Sequence, residues 1–157
     1  NVDEGMVTST HHLEKLSNYA RGTKAEFFPI CASIESELID LPISERREYL
    51  LELGLEEPGL NRLVRAGFAL LNLHSFFTAG PKETRAWTIP VGTVAPSAAG
   101  KIHGDFEKGF IRAEVISYRD YVDSGGEIGA RESGKLRSEG KEYVVEDGDI
   151  IHFRFNV

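Results

Sequence analysis

The spacing of apolar residues changes once along this chain, near residue 74, and that change constrains the fold more than any other feature. In residues 57–73, EPGLNRLVRAGFALLNL, the residues Leu60, Leu63, Val64, Gly67, Phe68 and Leu71 recur at intervals of three and four. Such spacing puts them on one face of an α-helix and predicts a buried stripe. Pro58 stands where a first-turn proline is tolerated. Gly67, lying on the stripe, predicts close approach by a neighbouring element. Beyond residue 74 the period becomes two, as on strands whose side chains alternate between faces. HSFFTAG (74–80) and TRAWTI (84–89) predict two strands joined by a turn at Gly80 and Pro81. In IRAEV (111–115), Ile111, Ala113 and Val115 should face one way and Arg112 and Glu114 the other. YVVEDGDIIHFRF (143–155) predicts a hairpin turning at Asp147-Gly148, with Ile151, Phe153 and Phe155 alternating with His152 and Arg154. SAAGKIHGDFEKG (97–109) suits one short helix. Few strands with a helix between them predict a small α+β domain.

The first part of the chain reads differently. Thr10 can cap a helix in THHLEKLSNYARG, with Leu13, Leu16 and Ala20 on one face and Gly22 ending it. AEFFPICAS (25–33) has strand length, although Pro29 predicts an edge or an irregularity. SIESELIDL predicts a helix ending near Pro42, and Ser44 is positioned to cap ERREYLLELGL, with Leu50 and Leu53 inward. The expected plan is therefore an α/β portion over 1–56, a connecting helix over 57–73 and a compact module over 74–157.

Composition narrows the function. No apolar run approaches the roughly 18 residues of a membrane span, and residues 1–10 lack the basic lead and apolar core of a signal peptide. The chain opens on Asn1 without an initiator Met, which predicts a portion of a longer protein. Net charge is −7, divided as −5 over residues 1–77 and −2 over 78–157. That argues against a nonspecific grip on nucleic acid but leaves room for a local basic face in the second half. The single cysteine, Cys31, excludes an internal disulfide and fits a reducing compartment. No histidine pair has zinc-ligand spacing.

Two stretches raise the question of a nucleotide. GARESGKL (129–136) has the glycine and lysine spacing of a phosphate loop, but Leu136 replaces the hydroxyl that would hold Mg²⁺. No apolar strand precedes it, and Glu127 and Glu132 would repel an anion. A solvated helix or loop is the expected reading. NVDE (1–4) and CAS (31–33) are the second case. Guanine-nucleotide hydrolases read the base with Asn-Lys-x-Asp at one strand end and a Ser-Ala-type loop at a later one. An amide side chain can pair with a purine edge while a carboxylate accepts ring N–H groups. Taken alone, these few residues are explained more simply by a polar turn at a strand end.

A longer similarity bears on that choice. CASIESEL, LGLEEPGLNRLVRAGFALLNL, FFTAGPKETRAWTIPVGTVAPSAAGKIHGDFEKGFIRAEVI and VEDGDIIHFRFNV resemble the carboxyl-terminal part of the YchF-type Obg-like ATPases, a P-loop NTPase family. The resemblance implies an α/β C-terminal remnant of a Ras-like nucleotide-binding domain over 1–56. It implies an α+β β-grasp, ubiquitin-like TGS domain over 74–157. It further implies base contacts from Asn1 and Glu4 and a backbone or apolar contact from Val2, which takes the lysine position. Cys31, Ala32 and Ser33 would line the base through their main chain, with a buried strand-end thiol as the competing reading of Cys31. Glu4 is one methylene longer than the usual Asp, which displaces the two-point match to guanine and relaxes selection for it. ATP is the implied nucleotide, with GTP also accepted. Mg²⁺, the phosphate loop and the catalytic groups would lie outside this chain, so no catalytic or metal residue is expected in it and the fragment alone should be inert.

The implied partner of the TGS domain is the ribosome or RNA in the cytoplasm, with no membrane partner. The alternative function is an autonomous RNA- or ribosome-binding module that the nucleotide half only regulates. Lys82, Arg85, Lys101, Lys108 and Arg112 are candidate RNA contacts. Trp87 is a further candidate, more consistent with a core position.

Overall fold

The computed structural model describes residues 1–8, 11–23 and 25–156, with His12 described by its backbone alone. The chain divides into two compact units, Asn1–Gly67 and Phe68–Val157.

The first unit is helical. A 3-10 turn at Glu4–Met6 and another at His11–Leu13 lead into α1 (Glu14–Thr23), followed by α2 (Ala32–Asp40), α3 (Ile43–Glu52) and α4 (Gly59–Leu70), whose last turn enters the second unit. Cys31, Ile34, Leu38 and Leu50 form its core, with Val7, Tyr49, Leu53 and Leu55 packed against them. Helices α2 and α3 thus meet through residues one turn apart on each, as their patterns predict.

Several expectations for this unit are corrected. Helix α1 runs one residue past Gly22 and leaves Leu16 exposed, because Leu13 and Ala20 are the residues that turn inward. The predicted Thr10 cap lies outside the described residues. Ser44 is not a cap: α3 starts at Ile43 with Pro42 in the cap position. Residues 25–31 form no ladder among the described residues, since one backbone bond, Val2 N–H to the Ile30 carbonyl at 2.8 Å, does not make a strand pair. The stripe is exposed at Leu60, Leu63, Val64 and Leu71, and a Cβ added at Gly67 would meet nothing within 4 Å among the described residues. Periodicity reports a face suited to burial; it does not supply the surface that buries it.

The second unit is built on a mixed sheet with α5 packed across one face. Strands β1 (Leu73–Ala79), β2 (Thr84–Pro90), β3 (Phe110–Ser117), β4 (Arg137–Glu139) and β5 (Asp149–Phe155) lie in the order β2-β1-β5-β3-β4. The central β1–β5 pair is parallel and the other pairs are antiparallel. Helices α5 (Ala95–Ile102) and α6 (Gly104–Lys108) follow β2, and α7 (Tyr118–Asp123) and α8 (Glu127–Glu132) follow β3. Phe76, Ile89, Ala113, Val115, Ile151 and Phe153 from the sheet meet Ala95, Ala98 and Ala99 of α5. The three alanines bring the helix close to the sheet, while Phe76, fully buried, contributes about 1.5–3 kcal/mol by leaving water.

Here too the structure departs from the pattern in places. The single helix expected over 97–109 is two, because His103 is extended and its Nδ1 accepts from the Asp105 N–H at 3.2 Å, capping α6. Ile111 points away from the core: the β3–β5 register shifts between Phe110 and Arg112, so Phe110 faces inward in its place, while Ala113 and Val115 stay inward as expected. A bulge of this kind inserts a residue and breaks the period of two. The hairpin expected over 143–155 does not form. Gly148 makes the turn at φ +84°, but β5 pairs with β1 and β3, while Val144 makes one isolated bridge to Val94. The alternation of Ile151 and Phe153 against His152 and Arg154 holds.

Candidate nucleotide-base site

The residues expected at a purine base come from two segments 30 positions apart. Asn1 and Val2 run beside residues 30–32. The Asn1 side-chain oxygen accepts from the Ala32 N–H at 3.0 Å, and the Val2 N–H donates to the Ile30 carbonyl at 2.8 Å. Ala32 and Ser33 are the first two residues of α2, and Cys31 precedes it in extended conformation. The N-terminal amides of a helix have no acceptors within it, and Asn1 satisfies one of them. Because the Asn1 oxygen is engaged, its NH₂ group is the end left to donate elsewhere.

Cys31 is buried in the core, with its thiol 3.0 Å from the Ser33 hydroxyl. Its carbonyl accepts from the Glu35 N–H at 3.2 Å. Both its side chain and its main-chain oxygen are thus committed to the fold, and Ala32 and Ser33 carry the exposed part of this segment. Glu4 is exposed at the start of the first 3-10 turn. Its charge reaches the neighbouring Tyr49, whose hydroxyl donates to Glu37. That hydrogen bond chiefly raises the phenol to about 12, with burial and then the charges of Glu37, Glu4 and Cys31 adding to it.

A cavity of this unit lies elsewhere. About 540 Å³ in volume, it is lined by Val7, Leu13, Arg21, Phe27, Pro29 and Arg62 among others, and by none of the six expected base contacts. Among the described residues no group of three His, Cys, Asp or Glu side chains could hold a metal ion, so the Mg²⁺ implied by the resemblance finds no ligand set in them.

GARESGKL is a helix end. Gly129 lies within α8, and the helix closes through Gly134 at φ +69°, with Gly134 N–H to the Arg131 carbonyl at 3.1 Å and Lys135 N–H to the Ala130 carbonyl at 2.8 Å. This left-handed closure satisfies carbonyls at a helix C-terminus; a phosphate loop needs amides at an N-terminus. Lys135 is 3.4 Å from Asp120.

Two polar arrangements have no local sequence signal. The Glu35 carboxylate accepts from the Gly59 and Leu60 N–H groups at 2.6 and 3.3 Å. In the second unit the buried Asp149 accepts from the Tyr143 hydroxyl at 2.6 Å and the Glu146 N–H at 2.9 Å, while Arg137 donates to the Tyr143 oxygen at 3.0 Å. A buried carboxylate could have been suspected from Asp149 opening an apolar strand, but its partners could not.

Of the candidate RNA contacts, Arg112 is paired with Glu114 at 3.0 Å and Arg85 lies over the Trp87 ring at 4.3 Å. Trp87 packs against the core and donates to the Thr78 hydroxyl at 3.0 Å. Lys82, Lys101 and Lys108 are exposed.

Residues 73–156 match the family profile described as YchF-GTPase_C, protein of unknown function (DUF933). The chain belongs to the YchF family. Its whole length is 56% identical to a protein of Haemophilus influenzae named ribosome-binding ATPase YchF, and over 160 aligned residues it is 51% identical to the Bacillus subtilis protein of that name. It spans 43% and 44% of those relatives' lengths. Obg-like ATPase 1 of Rattus norvegicus is 53% identical over 82% of this chain and 32% of its own. Among solved structures, the Schizosaccharomyces pombe YchF GTPase superposes with a TM-score of 0.77 at 36% identity, covering 91% of this chain and 38% of that one. A Pyrococcus horikoshii protein titled GTP binding protein shares the fold with a TM-score of 0.64 at 18% identity. The mixed α/β architecture with a five-stranded sheet is therefore that of the carboxyl-terminal part of the YchF family. Among the described residues no helix is long and apolar enough to cross a membrane.

Proposed function

We propose that this chain is the base-recognising end of a P-loop NTPase joined to a TGS module through which the protein meets the ribosome. The observation that carries the nucleotide half is the bond from Ala32 N–H to Asn1 Oδ1. With that oxygen engaged, the Asn1 amide NH₂ is left as a donor for an acceptor on a purine edge. Val2 supplies an apolar or backbone contact, and the exposed Glu4 carboxylate accepts from the base. Cys31, Ala32 and Ser33 complete the site, Cys31 by holding the turn and the other two by their main chain. The longer acid at Glu4 favours ATP and tolerates GTP. Hydrolysis on this reading belongs to the whole protein, with its Mg²⁺ and catalytic groups outside this chain.

The order β2-β1-β5-β3-β4 with a parallel central pair and α5 across one face supports a β-grasp, ubiquitin-like TGS domain. The names of the relatives support the ribosome as partner and a cytoplasmic location. The exposed lysines Lys82, Lys101 and Lys108 are the side chains best placed to meet RNA phosphate.

The nucleotide reading is tested in the complete protein with Glu4→Asp. Titration with ATP and GTP should show the GTP-to-ATP affinity ratio rising about tenfold, roughly the effect of restoring one polar match. An unchanged ratio refutes base recognition by Glu4. The 157-residue chain should show no Mg²⁺-dependent ATP hydrolysis. Sedimentation of that chain with ribosomes would place the contact here rather than in the remainder of the protein, which is the binding-module reading.

A further inference from the structure

The two edges of the sheet are built differently. Strand β4 has three residues, Arg137, Ser138 and Glu139, two of them charged. Short, charged edges resist pairing with another chain. Strand β2 has seven residues, pairs with β1 in unbroken register from Leu73↔Pro90 to Ala79↔Thr84, and has no other strand beside it among the described residues. It contains no bulge, and its one proline is the last residue.

Which backbone groups face the free side follows from the two ends of the hairpin. Gly80 N–H donates to the Glu83 carbonyl at 2.9 Å, and Val91 N–H donates to the Asn72 carbonyl at 2.9 Å. Hydrogen-bonded pairs recur every second residue in an antiparallel ladder. The pairs Thr78–Arg85, Phe76–Trp87 and His74–Ile89 are then hydrogen-bonded, and β2 turns the N–H and C=O of Thr84, Ala86 and Thr88 outward. A row of outward donors and acceptors at this spacing is matched by another extended backbone.

We propose that β2 pairs antiparallel with β2 of a second copy of this chain, about a two-fold axis at Ala86, to make one continuous sheet. The sequence around Ala86 is self-complementary in that register. Ala86 meets its own counterpart, where a small side chain lets the axis close. Thr84 falls opposite Thr88 of the second copy, a pairing in which hydroxyls can bond across strands. Arg85 falls opposite Trp87 of the second copy in the closer, non-hydrogen-bonded positions. Arg85 already lies over its own Trp87 ring at 4.3 Å, and the same cation–π attraction operates across the pair. No like charges are opposed, and roughly six backbone hydrogen bonds form. Of the patterns available to an added strand, this register uses every outward group of β2 and both of its specific side chains, which favours self-pairing over an unrelated strand.

A single strand pair buries less than a standard interface, so the association should be weak, with a dissociation constant on the order of micromolar. Sedimentation equilibrium of the 157-residue chain should therefore show a concentration-dependent dimer. Ala86→Pro removes an outward N–H and no bond to β1, and should raise the dissociation constant at least about tenfold while leaving the circular dichroism spectrum and melting temperature close to the parent. Ala86→Arg sets two like charges at the axis and should weaken the dimer similarly, which keeps the test open should the proline variant misfold. Ala86→Cys should form a disulfide-linked dimer under mild oxidation, since the native Cys31 is buried. A chain that stays monomeric up to roughly millimolar concentration, a thousandfold above the expected constant, overturns the proposal. So does a dimer indifferent to both Ala86→Pro and Ala86→Arg, or an Ala86→Cys chain that does not cross-link. None of these outcomes depends on the nucleotide or ribosome reading.

Discussion

The Glu35 carboxylate accepts from the Gly59 N–H at 2.6 Å, so a residue in the first turn of α2 caps the first turn of α4 from 24 positions away. The second oxygen reaches Leu60 N–H at 3.3 Å. Negative charge at a helix N-terminus is favourable both for its hydrogen bonds and for the helix dipole. A Cβ at Gly59 would stand 2.9 Å from that carboxylate oxygen and 3.3 Å from Ile30. Glu35→Ala should therefore lose about 1–2 kcal/mol, the ordinary value of a cap, and Gly59→Ala should lose stability despite alanine's better helix propensity. The double variant should cost less than the sum, because removing the carboxylate makes room for the methyl group. Urea unfolding of the four proteins gives the answer; strict additivity would show that the two residues do not interact.

Glu114 sits between two guanidinium groups, 2.9 Å from Arg154 and 3.0 Å from Arg112. The Arg154 hydrogen bond is the main influence holding its carboxyl at about 2 against an ordinary 4.5; burial opposes it and Arg112 reinforces it. The folded value lies below the unfolded one, so the stabilisation is complete above pH 4.5 and is lost as pH falls toward 2. Glu114→Gln should lose about 1 kcal/mol at neutral pH, a figure reduced for the half-exposed arginines, and should flatten the acid limb of the stability curve in that window. Denaturant unfolding followed down the acid range measures this, and an unaltered acid limb would contradict it.

Tyr143 donates to the buried Asp149 at 2.6 Å. Burial and then the Asp149 hydrogen bond push the phenol well above its ordinary value, so it should stay protonated through the alkaline range in which exposed tyrosines ionise. Tyr143→Phe leaves Asp149 Oδ2 with the Glu146 N–H alone, while Oδ1 keeps the more distant Arg137. The expected loss is about 1–3 kcal/mol, read as a lower melting temperature, with an ultraviolet titration step reduced by less than one full tyrosine below pH about 11.

The glycines of GARESGKL test its reading as a helix and its end. A Cβ at Gly129 would overlap the Ser124 carbonyl oxygen, a backbone atom that cannot swing aside. Gly134 has open space but a φ of +69°. Gly129→Ala should thus cost about 2–4 kcal/mol, as overpacked or strained sites do, and Gly134→Ala about 1–2 kcal/mol. Neither should change the nucleotide affinity of the complete protein. A selective loss of nucleotide binding in Gly129→Ala without loss of stability would reopen the phosphate-loop reading.

The sequence by itself determined what local physics controls. Helices α2 and α3 follow from residues three and four apart on one backbone. The β1–β2 hairpin follows from alternation either side of Gly80 and Pro81, and the inward residues of β5 from the period of two. The resemblance carried the family and the mixed architecture with its sheet; the roles of Asn1, Val2 and Glu4 at a nucleotide rest on it still. Tertiary structure alone decided which elements meet. It placed β5 between β1 and β3 rather than against residues 143–146, turned Ile111 outward at a bulge, left the Leu60–Leu71 stripe exposed, and set Ala32 against Asn1 and Gly59 against Glu35. The reason is range. A turn or helical repeat is fixed by neighbours a few bonds away. A strand partner or a non-local cap is chosen by burial and hydrogen bonding between segments that no spacing in the sequence relates.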